Sequence, residues 1–392
     1  MTEVIQSFAD VRVGVIGVGF VGMAHIEALR RLGIQVVAAA RGNVERGTAG
    51  ATAALPPIAA SVDELIEDPS IDAVHVASPN NVHAAQAMRC LGAGKHVICE
   101  KPLGVTANET AELVAAANRS GLVHAVCFNM RFYPLNQHMA AEVASGALGS
   151  PTLLTGSYLQ DWLLLDTDWN WRLDETTGGT LRSVADIGSH WLDLAQFISG
   201  QRVVEVMADL HTFVPVRQRP VVEPHTFAGP DPGEASEPVE ITNDDAAGIL
   251  LRFADGARGV LTVSQVAAGR KNALSLQISG SVGSFGWCSE EPDVLWHGHR
   301  GQPNQVLQRD GTLMNDTGVA ATVLPVGHVE GYADTFRSLF AAVYADVVAG
   351  RPSDRRSYPT FADGHDAMLV TEAIARSAAS GRWETVERGM QA

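Results

Sequence analysis

The chain has 392 residues, past the roughly 250 to 300 at which one hydrophobic core stops growing, so a single small module is excluded and two packed domains are expected. Its composition, 46% hydrophobic and 18% charged, is that of a folded globular protein. Lys and Arg total 28 against 44 Asp and Glu; the formal charge of -16 repels phosphate backbones and anionic bilayers, which argues against nucleic acid and membrane partners.

Residues 1–10 contain Glu3 and Asp10 and no basic-then-apolar signal pattern. The apolar stretch 13–24 is broken by Gly14, Gly17, Gly19 and Gly22 and falls short of the ~20 apolar residues of a membrane helix. A cytoplasmic protein is expected. Cys90, Cys99, Cys127 and Cys288 are scattered without a CxxC pair, which favours free thiols over disulfides or a zinc knuckle. His297 and His299 lack acids at ligand spacing, and no metal is assigned.

In chain order, β-branched runs at 12–16, 35–39, 73–77, 96–99 and 123–128 alternate with helical stretches at 21–32, 62–67, 81–93 and 107–120, the pattern of a doubly wound parallel sheet. Residues 1–130 are assigned to this α/β domain. After about residue 150 the texture changes to strict alternation, as in Leu274, Leu276 and Ile278 separated by Ser275 and Gln277. Runs at 249–253 and 259–265 flank Asp255-Gly256, a hairpin signal. Residues 131–392 therefore read as an α+β domain with an open, mostly antiparallel sheet and helices on one side. Six prolines between Val214 and Val239 predict a long surface loop. The helical stretches 332–348 and 361–380 are expected to pack on the second sheet.

The strand at 12–16 runs into Gly17-Val18-Gly19-Phe20-Val21-Gly22 and then a helix, the one context in which GxGxxG marks a dinucleotide site. Gly17 allows the tight turn, Gly19 lets backbone approach the pyrophosphate, and Gly22 permits close packing of helix on strand. About 20 residues past the last fingerprint glycine, where a carboxylate would hold the ribose hydroxyls, stands Arg41, with no acid from 39 to 43; Arg41 and Arg46 suit a 2′-phosphate. NADP is thus slightly favoured over NAD.

Lys101 follows a strand and lies at the carboxyl edge of the sheet, where ligands bind in open α/β folds. Its ammonium can hydrogen-bond a reacting hydroxyl and favour alkoxide character. Asp186 and His190, four apart, share one helical face, with Asp193 a further turn along; Asp186 also suits a helix N-cap. The imidazole can take a hydroxyl proton and the carboxylate can hold a substrate hydroxyl. Tyr158 to Trp162 and Trp169 to Arg172 set three tryptophans among Gln160, Asp161, Asn170 and Arg172, a mixture suited to the apolar faces and polar edges of a sugar, although core packing explains any one ring.

Taken with the fingerprint, Ser78-Pro79-Asn80-Asn81-Val82-His83, Glu100-Lys101-Pro102 and Asp186-Ile187-Gly188-Ser189-His190 resemble the glucose-fructose oxidoreductase, inositol dehydrogenase and rhizopine catabolism family over nearly the whole chain. The tryptophan segment looks most like its pyranoside dehydrogenases, the subgroup that includes levoglucosan dehydrogenase. The resemblance implies oxidation of a sugar or cyclitol alcohol by NAD or NADP, with His190 as general acid/base, Lys101 assisting and Asp186 as substrate ligand. It implies a cofactor site made of Gly17, Gly19, Phe20, Val21, Gly22, Ser78, Pro79, Asn80, His83, Glu100 and Lys101. For the substrate it implies Asn129, Arg131, Gln160, Trp162, Arg172 and Asp193, and for assembly a homodimer or homotetramer through the open sheet. The family often has Tyr where this chain has Met130, so any role of that hydroxyl is lost or relocated. Two rival activities share the fold: glycoside cleavage through transient ring oxidation and elimination, and a cofactor-bound sensor without turnover. The joint presence of Lys101 and His190 counts against the sensor.

Overall fold

A computed structural model describes residues 5–40, 55–221, 235–354 and 356–388. The first part runs β1 (Arg12–Ile16), α1 (Phe20–Arg31), β2 (Gln35–Ala40), α2 (Val62–Glu67), β3 (Ala73–Val76), α3 (His83–Gly92), β4 (His96–Cys99), α4 (Ala107–Ser120) and β5 (His124–Val126). These strands pair in parallel in the order β2-β1-β3-β4-β5. Short β-branched runs suit such a sheet because both faces are covered, and all four residues of β3 are buried. On one face, Leu65 of α2, Leu91 of α3 and Leu113 of α4 pack on Ile16, Val74 and Val97. The strand order reverses between β1 and β3, which opens the crevice at the strands' carboxyl ends.

The second part contains α5 (Pro134–Ala144), β6 (Pro151–Leu159), α6 (Glu175–Gly178), α7 (Ser189–Ser199), β7 (Val203–His211), β8 (Val216–Pro220), β9 (Ser236–Glu240), β10 (Ala246–Phe253), β11 (Arg258–Ser264), β12 (Ala273–Gly280), β13 (Gly283–Cys288), β14 (Val294–His299) and β15 (Gln305–Gln308). It is followed by α8 (Asp316–Ala321), α9 (Tyr332–Val348), α10 (Phe361–Ser380) and β16 (Glu384–Thr385). Nine strands form one sheet in the order β15-β14-β13-β12-β6-β11-β10-β7-β16, antiparallel except where β6 meets β11. Leu274, Leu276 and Ile278 face inward against Trp191, Leu192 and Leu194 of α7, as the alternation requires. The opposite face is uncovered among the described residues: Leu153, Leu250 and Val260 are 42, 45 and 42% exposed on the adjacent strands β6, β10 and β11. Gly256, at a φ of +93°, turns β10 into β11.

Two expectations change. The proline-rich segment is not wholly loop: β8 and β9 pair as a two-stranded antiparallel arm. Every strand of a two-stranded ribbon is an edge, so a proline such as Pro238 is tolerated where it would interrupt a central strand. And α9 does not pack on the second sheet: Phe336, Leu339, Phe340 and Val343 join Val13, Val15, Ile26 and Leu29 in the core on the other face of the first sheet. Helical periodicity shows which positions are apolar but not which sheet they cover. The last long helix, α10, does reach the second sheet, where Val370, Ala373 and Ile374 pack with Val203 and Val206. Among the described residues no helix is long and apolar enough to cross a membrane.

Candidate active site

The turn from β1 into α1 gives two of the three fingerprint glycines a steric reason. Gly17 has a φ of +93°, and a Cβ there would collide with the Ala77 carbonyl. A Cβ on Gly22 would collide with the Gly17 carbonyl. At Gly19 a Cβ would meet nothing within 4 Å, so this residue borders open space at the N-terminus of α1, which has no side-chain cap. A backbone cradle open at the positive end of a helix fits the pyrophosphate of a dinucleotide. Phe20, 49% exposed, stacks on Tyr332 with ring centroids 6.3 Å apart, and Val21 packs against the α1–α9 core. Arg41 and Arg46 lie outside the described residues.

The other expected cofactor residues surround this turn with their polar atoms committed elsewhere. The Ser78 hydroxyl donates to Gln86 Oε1 at 2.6 Å. Asn80 and Asn81 donate to the carbonyls of Gly178 and Thr176 at 3.0 and 3.1 Å, clasping the Pro79 turn to α6. His83 lies between the carbonyl oxygens of Pro102 and Ser78, at 2.8 and 2.7 Å. Asn80 and His83 thus brace the turn, both buried against backbone that takes up these hydrogen bonds. Glu100 is buried, with Oε1 3.0 Å from His25 Nε2 and Oε2 accepting from the Lys101 amide at 3.2 Å.

A buried charge cluster joins the two parts of the chain. Lys101 Nζ donates to Asp186 Oδ1 at 2.8 Å and to its carbonyl at 2.7 Å. Arg172 Nε donates to the same Oδ1 at 3.1 Å, and Gln265 Nε2 to Oδ2 at 2.9 Å. Burial works against ionisation of Asp186, but Arg172 and then Lys101 outweigh it and hold the carboxyl far below its ordinary value. Asp186 is not an N-cap: it lies inside a π-turn, Val184–Gly188, continuous with α7. Such a widened turn is common at functional sites.

His190 stands one turn on, 6% exposed, with its ring near Phe128 and Tyr158 at centroid distances of 5.9 and 6.3 Å. Its Nδ1 is buried with no hydrogen-bond partner among the described residues, which leaves Nε2 as the ring nitrogen open to a ligand. Burial, reinforced by the Lys101 charge, lowers its pKa to about 3, so it is a neutral imidazole at physiological pH.

Several expected substrate residues are hydrogen-bonded within the protein. Arg131 donates to both oxygens of Asp193, at 2.7 and 2.5 Å, and to Asp363 at 2.9 Å. Burial raises Asp193 to about 6 and Arg131 opposes it, leaving a paired carboxylate at neutral pH. Neither charge is free for a sugar, since breaking a buried pair leaves an uncompensated ion. Asn129 is buried and donates to Thr335 at 2.8 Å. Gln160 is tied at both ends, accepting from Trp162 Nε1 at 2.8 Å and donating to Asn272 at 2.9 Å. Trp169 is 8% exposed in a small core with Leu163, Leu173 and Ile241, against which Trp162 packs. Arg172 stays in the site, its guanidinium 4.4 Å from the Trp171 ring. Glu330 is buried against Arg309 and the amides of Val323 and Leu324.

Sequence reasoning missed Gln265 and Tyr332. Gln265 directly follows β11, a position where strand alternation carries no chemical signal. Tyr332 opens α9, and its hydroxyl is held well above its ordinary pKa by burial, then by Glu100 and Tyr158.

Residues 11–128 match the oxidoreductase family with an NAD-binding Rossmann fold, and residues 136–286 match the GFO/IDH/MocA C-terminal domain. Levoglucosan dehydrogenase of Pseudarthrobacter phenanthrenivorans is 30% identical over 96% of this chain and 98% of its own. Myo-inositol 2-dehydrogenase of Thermotoga maritima is 29% identical over 65% of this chain and 67% of its own. A solved levoglucosan dehydrogenase in complex with NADH and levoglucosan superposes with a TM-score of 0.82 at 28% identity, covering 96% of this chain and 99% of that one.

The depressed pKa of His190 has a consequence for stability. The folded state keeps the ring neutral down to about pH 3, whereas the unfolded chain binds a proton near 6.5, so the unfolded state holds more protons between these values and stability falls as pH drops below about 6.5. Denaturant unfolding followed from pH 7 to 4 is expected to show a shallower loss in His190→Gln, by at most about 1.4 kcal/mol per pH unit, the slope of one proton. Parallel curves for the two proteins would contradict the assignment.

Proposed function

The chain belongs to the GFO/IDH/MocA family of NAD-binding oxidoreductases, and we propose that its reaction is the oxidation of a secondary hydroxyl on a pyranose or cyclitol ring to the ketone. The observation that supports this reading is the set of Lys101, Asp186 and His190 at the carboxyl edge of the parallel sheet, beside the glycine cradle. Asp186 fixes the Lys101 ammonium, which donates to the substrate oxygen and favours alkoxide character. His190, unprotonated beforehand, accepts the hydroxyl proton at Nε2. Negative charge developing on the oxygen offsets the Lys101 field that lowers the imidazole's basicity, so His190 becomes a better base as the reaction proceeds. When bound, the nicotinamide ring supplies the hydride acceptor. Arg172, stacked beside Trp171 and bonded to Asp186, is placed to contact a ring hydroxyl. Relatives named for levoglucosan and myo-inositol support a cyclic polyol as substrate. Three buried free thiols suit a reducing compartment, and we place the enzyme in the cytoplasm.

Lys101→Met and His190→Asn are each expected to keep cofactor affinity while turnover of a pyranoside or inositol drops at least about 10²-fold. Arg172 and Gln265 still hold Asp186 in the lysine variant, so the fold should survive. Near-normal turnover in either variant refutes the roles given. Conversion of a glycoside without accumulation of reduced nicotinamide would point to the eliminating hydrolase instead.

For the cofactor we propose NADP at least equal to NAD, on the absence of an acid from 39 to 43 and the presence of Arg41 and Arg46. Arg41→Asp should then shift the kcat/KM ratio towards NAD. A wild-type enzyme strongly selective for NAD would defeat this.

For the assembly we propose a second copy of the chain against the bare sheet face, where Leu153, Leu250 and Val260 form an apolar strip across adjacent strands. Sedimentation should give a dimer or tetramer that dissociates in Val260→Lys. A monomeric wild type rejects it.

A further inference from the structure

Two fully buried histidines in the nucleotide-binding part have no place in the chemistry above. His25, on α1, and His75, in the middle of β3, are both 0% exposed, and a polar ring in such a core must be satisfied by specific partners. They are joined end to end. His25 Nε2 lies 3.0 Å from Glu100 Oε1, His25 Nδ1 lies 2.9 Å from His75 Nδ1, and His75 Nε2 lies 2.8 Å from the hydroxyl of Tyr344 on α9. Phe340 packs edge-on against both rings at 4.9 and 4.6 Å, and the Cys127 thiol lies 3.8 Å from His25 Nε2.

The identity of the end groups fixes the direction of the bonds. An ionised carboxylate only accepts, so the hydrogen between His25 and Glu100 belongs to Nε2. A neutral His25 then offers its Nδ1 lone pair, which His75 Nδ1–H must fill. His75 Nε2 is left as an acceptor, and the Tyr344 hydroxyl donates to it. Reversing any bond, by protonating Glu100 or by making His25 an imidazolium, turns Tyr344 from donor to acceptor. Its own O–H would then need an acceptor, and the hydroxyl has no partner other than His75 among the described residues. Tyr344 therefore acts as the stop that sets the sense of the whole chain.

We propose that Tyr344, His75 and His25 are positioning residues that hold Glu100 ionised and oriented beside Lys101, so that the charge of the proton-transfer site is set from inside the nucleotide-binding core. The inference rests on the reading of Lys101 and His190 given above. The surroundings agree with it. Burial pushes the Glu100 carboxyl up, while the hydrogen bond from His25 and then the Lys101 charge favour its ionised form and hold it below its ordinary value. Burial lowers His75 well below the ordinary range, so that ring is neutral. The titratable groups facing Glu100 are Lys101, His190, His83, Cys99, Cys127 and Tyr332, and Asp72 and Cys127 face Tyr344. Both thiols are held protonated by burial, and the Glu100 charge supports the basicity of His190.

The test uses the intact protein labelled with 15N-histidine. An N–H···N bond between two imidazoles produces a 15N–15N coupling across the hydrogen bond, which singles out His25 and His75 from the 13 histidines without any variant. The expected result is one neutral ring protonated at Nε2 (His25) coupled to one neutral ring protonated at Nδ1 (His75), the tautomer disfavoured in water. A doubly protonated His25, an Nε2-protonated His75, or no coupling overturns the chain.

Tyr344→Phe keeps the ring and removes only the terminal donor. Its kcat is expected to fall about tenfold, with the acid limb of the profile shifted to lower pH, while KM and cofactor Kd stay within about twofold, the signature of an effect on proton transfer and not on binding. An unchanged kcat–pH profile overturns the positioning role. Normal turnover in Lys101→Met overturns the role through the site reading itself, a failure told apart because the spectra report the chain without substrate.

Discussion

The contact between Lys101 Nζ and Asp186 joins a lysine that ends a strand of the parallel sheet to a carboxylate in a π-turn before α7, and the reactive geometry depends on it. Either group alone would be costly to bury. Together, with Arg172 and Gln265 completing the carboxylate's partners, they form a satisfied cluster at the seam between the nucleotide-binding and substrate-facing parts. Losing one member of such a buried pair costs about 3–5 kcal/mol, because the remaining charge keeps its desolvation penalty. The seam is also clasped at Asn80 and Asn81, so the orientation of the two sheets is set by polar contacts on both sides of the crevice.

Around this point the structure separates groups that face ligand from groups that hold them. Arg131, Asp193 and Asp363 tie the turn after β5 to α7 and α10, which fixes the backbone that presents His190. Gln160 and Tyr158 converge on Asn272, and Gln160 steadies Trp162 at the edge of a small aromatic core under the β8–β9 arm. Preorganisation of this kind matters for hydride transfer, where small displacements of the reacting atoms change the rate steeply.

The parallel sheet was legible because its strands are mostly buried and read as short apolar runs rich in β-branched residues, and the roles of Gly17 and Gly22 were legible because each has one steric meaning. Lys101, Asp186 and His190 were found by motif and spacing, and they do converge. The partners of Arg131, Asp193 and Gln160 within the protein were not legible for a physical reason: a charged or amide side chain looks the same in sequence whether its partner is a sugar or another residue far along the chain. Arg131 is 62 residues from Asp193 and 232 from Asp363, separations that no local pattern reports. The proline-rich arm escaped for a different reason, since prolines veto central strands but not the edges of an isolated ribbon. The His25–His75–Tyr344 chain was invisible because its members come from three elements with no shared period.

The return of α9 to the first sheet bears on how the protein is made. On the ribosome, β1 to β5 emerge first, but the face lined by Val13, Val15 and Leu29 lacks its cover until residues 332–348 follow. At about 5–20 residues per second, the roughly two hundred residues between β5 and α9 take about ten to forty seconds to synthesise. Through that interval the nascent nucleotide-binding half carries an uncovered apolar flank, and a chain truncated before α9 never closes it. The order of the helices thus leaves the closing of that flank to a segment near the end of the chain.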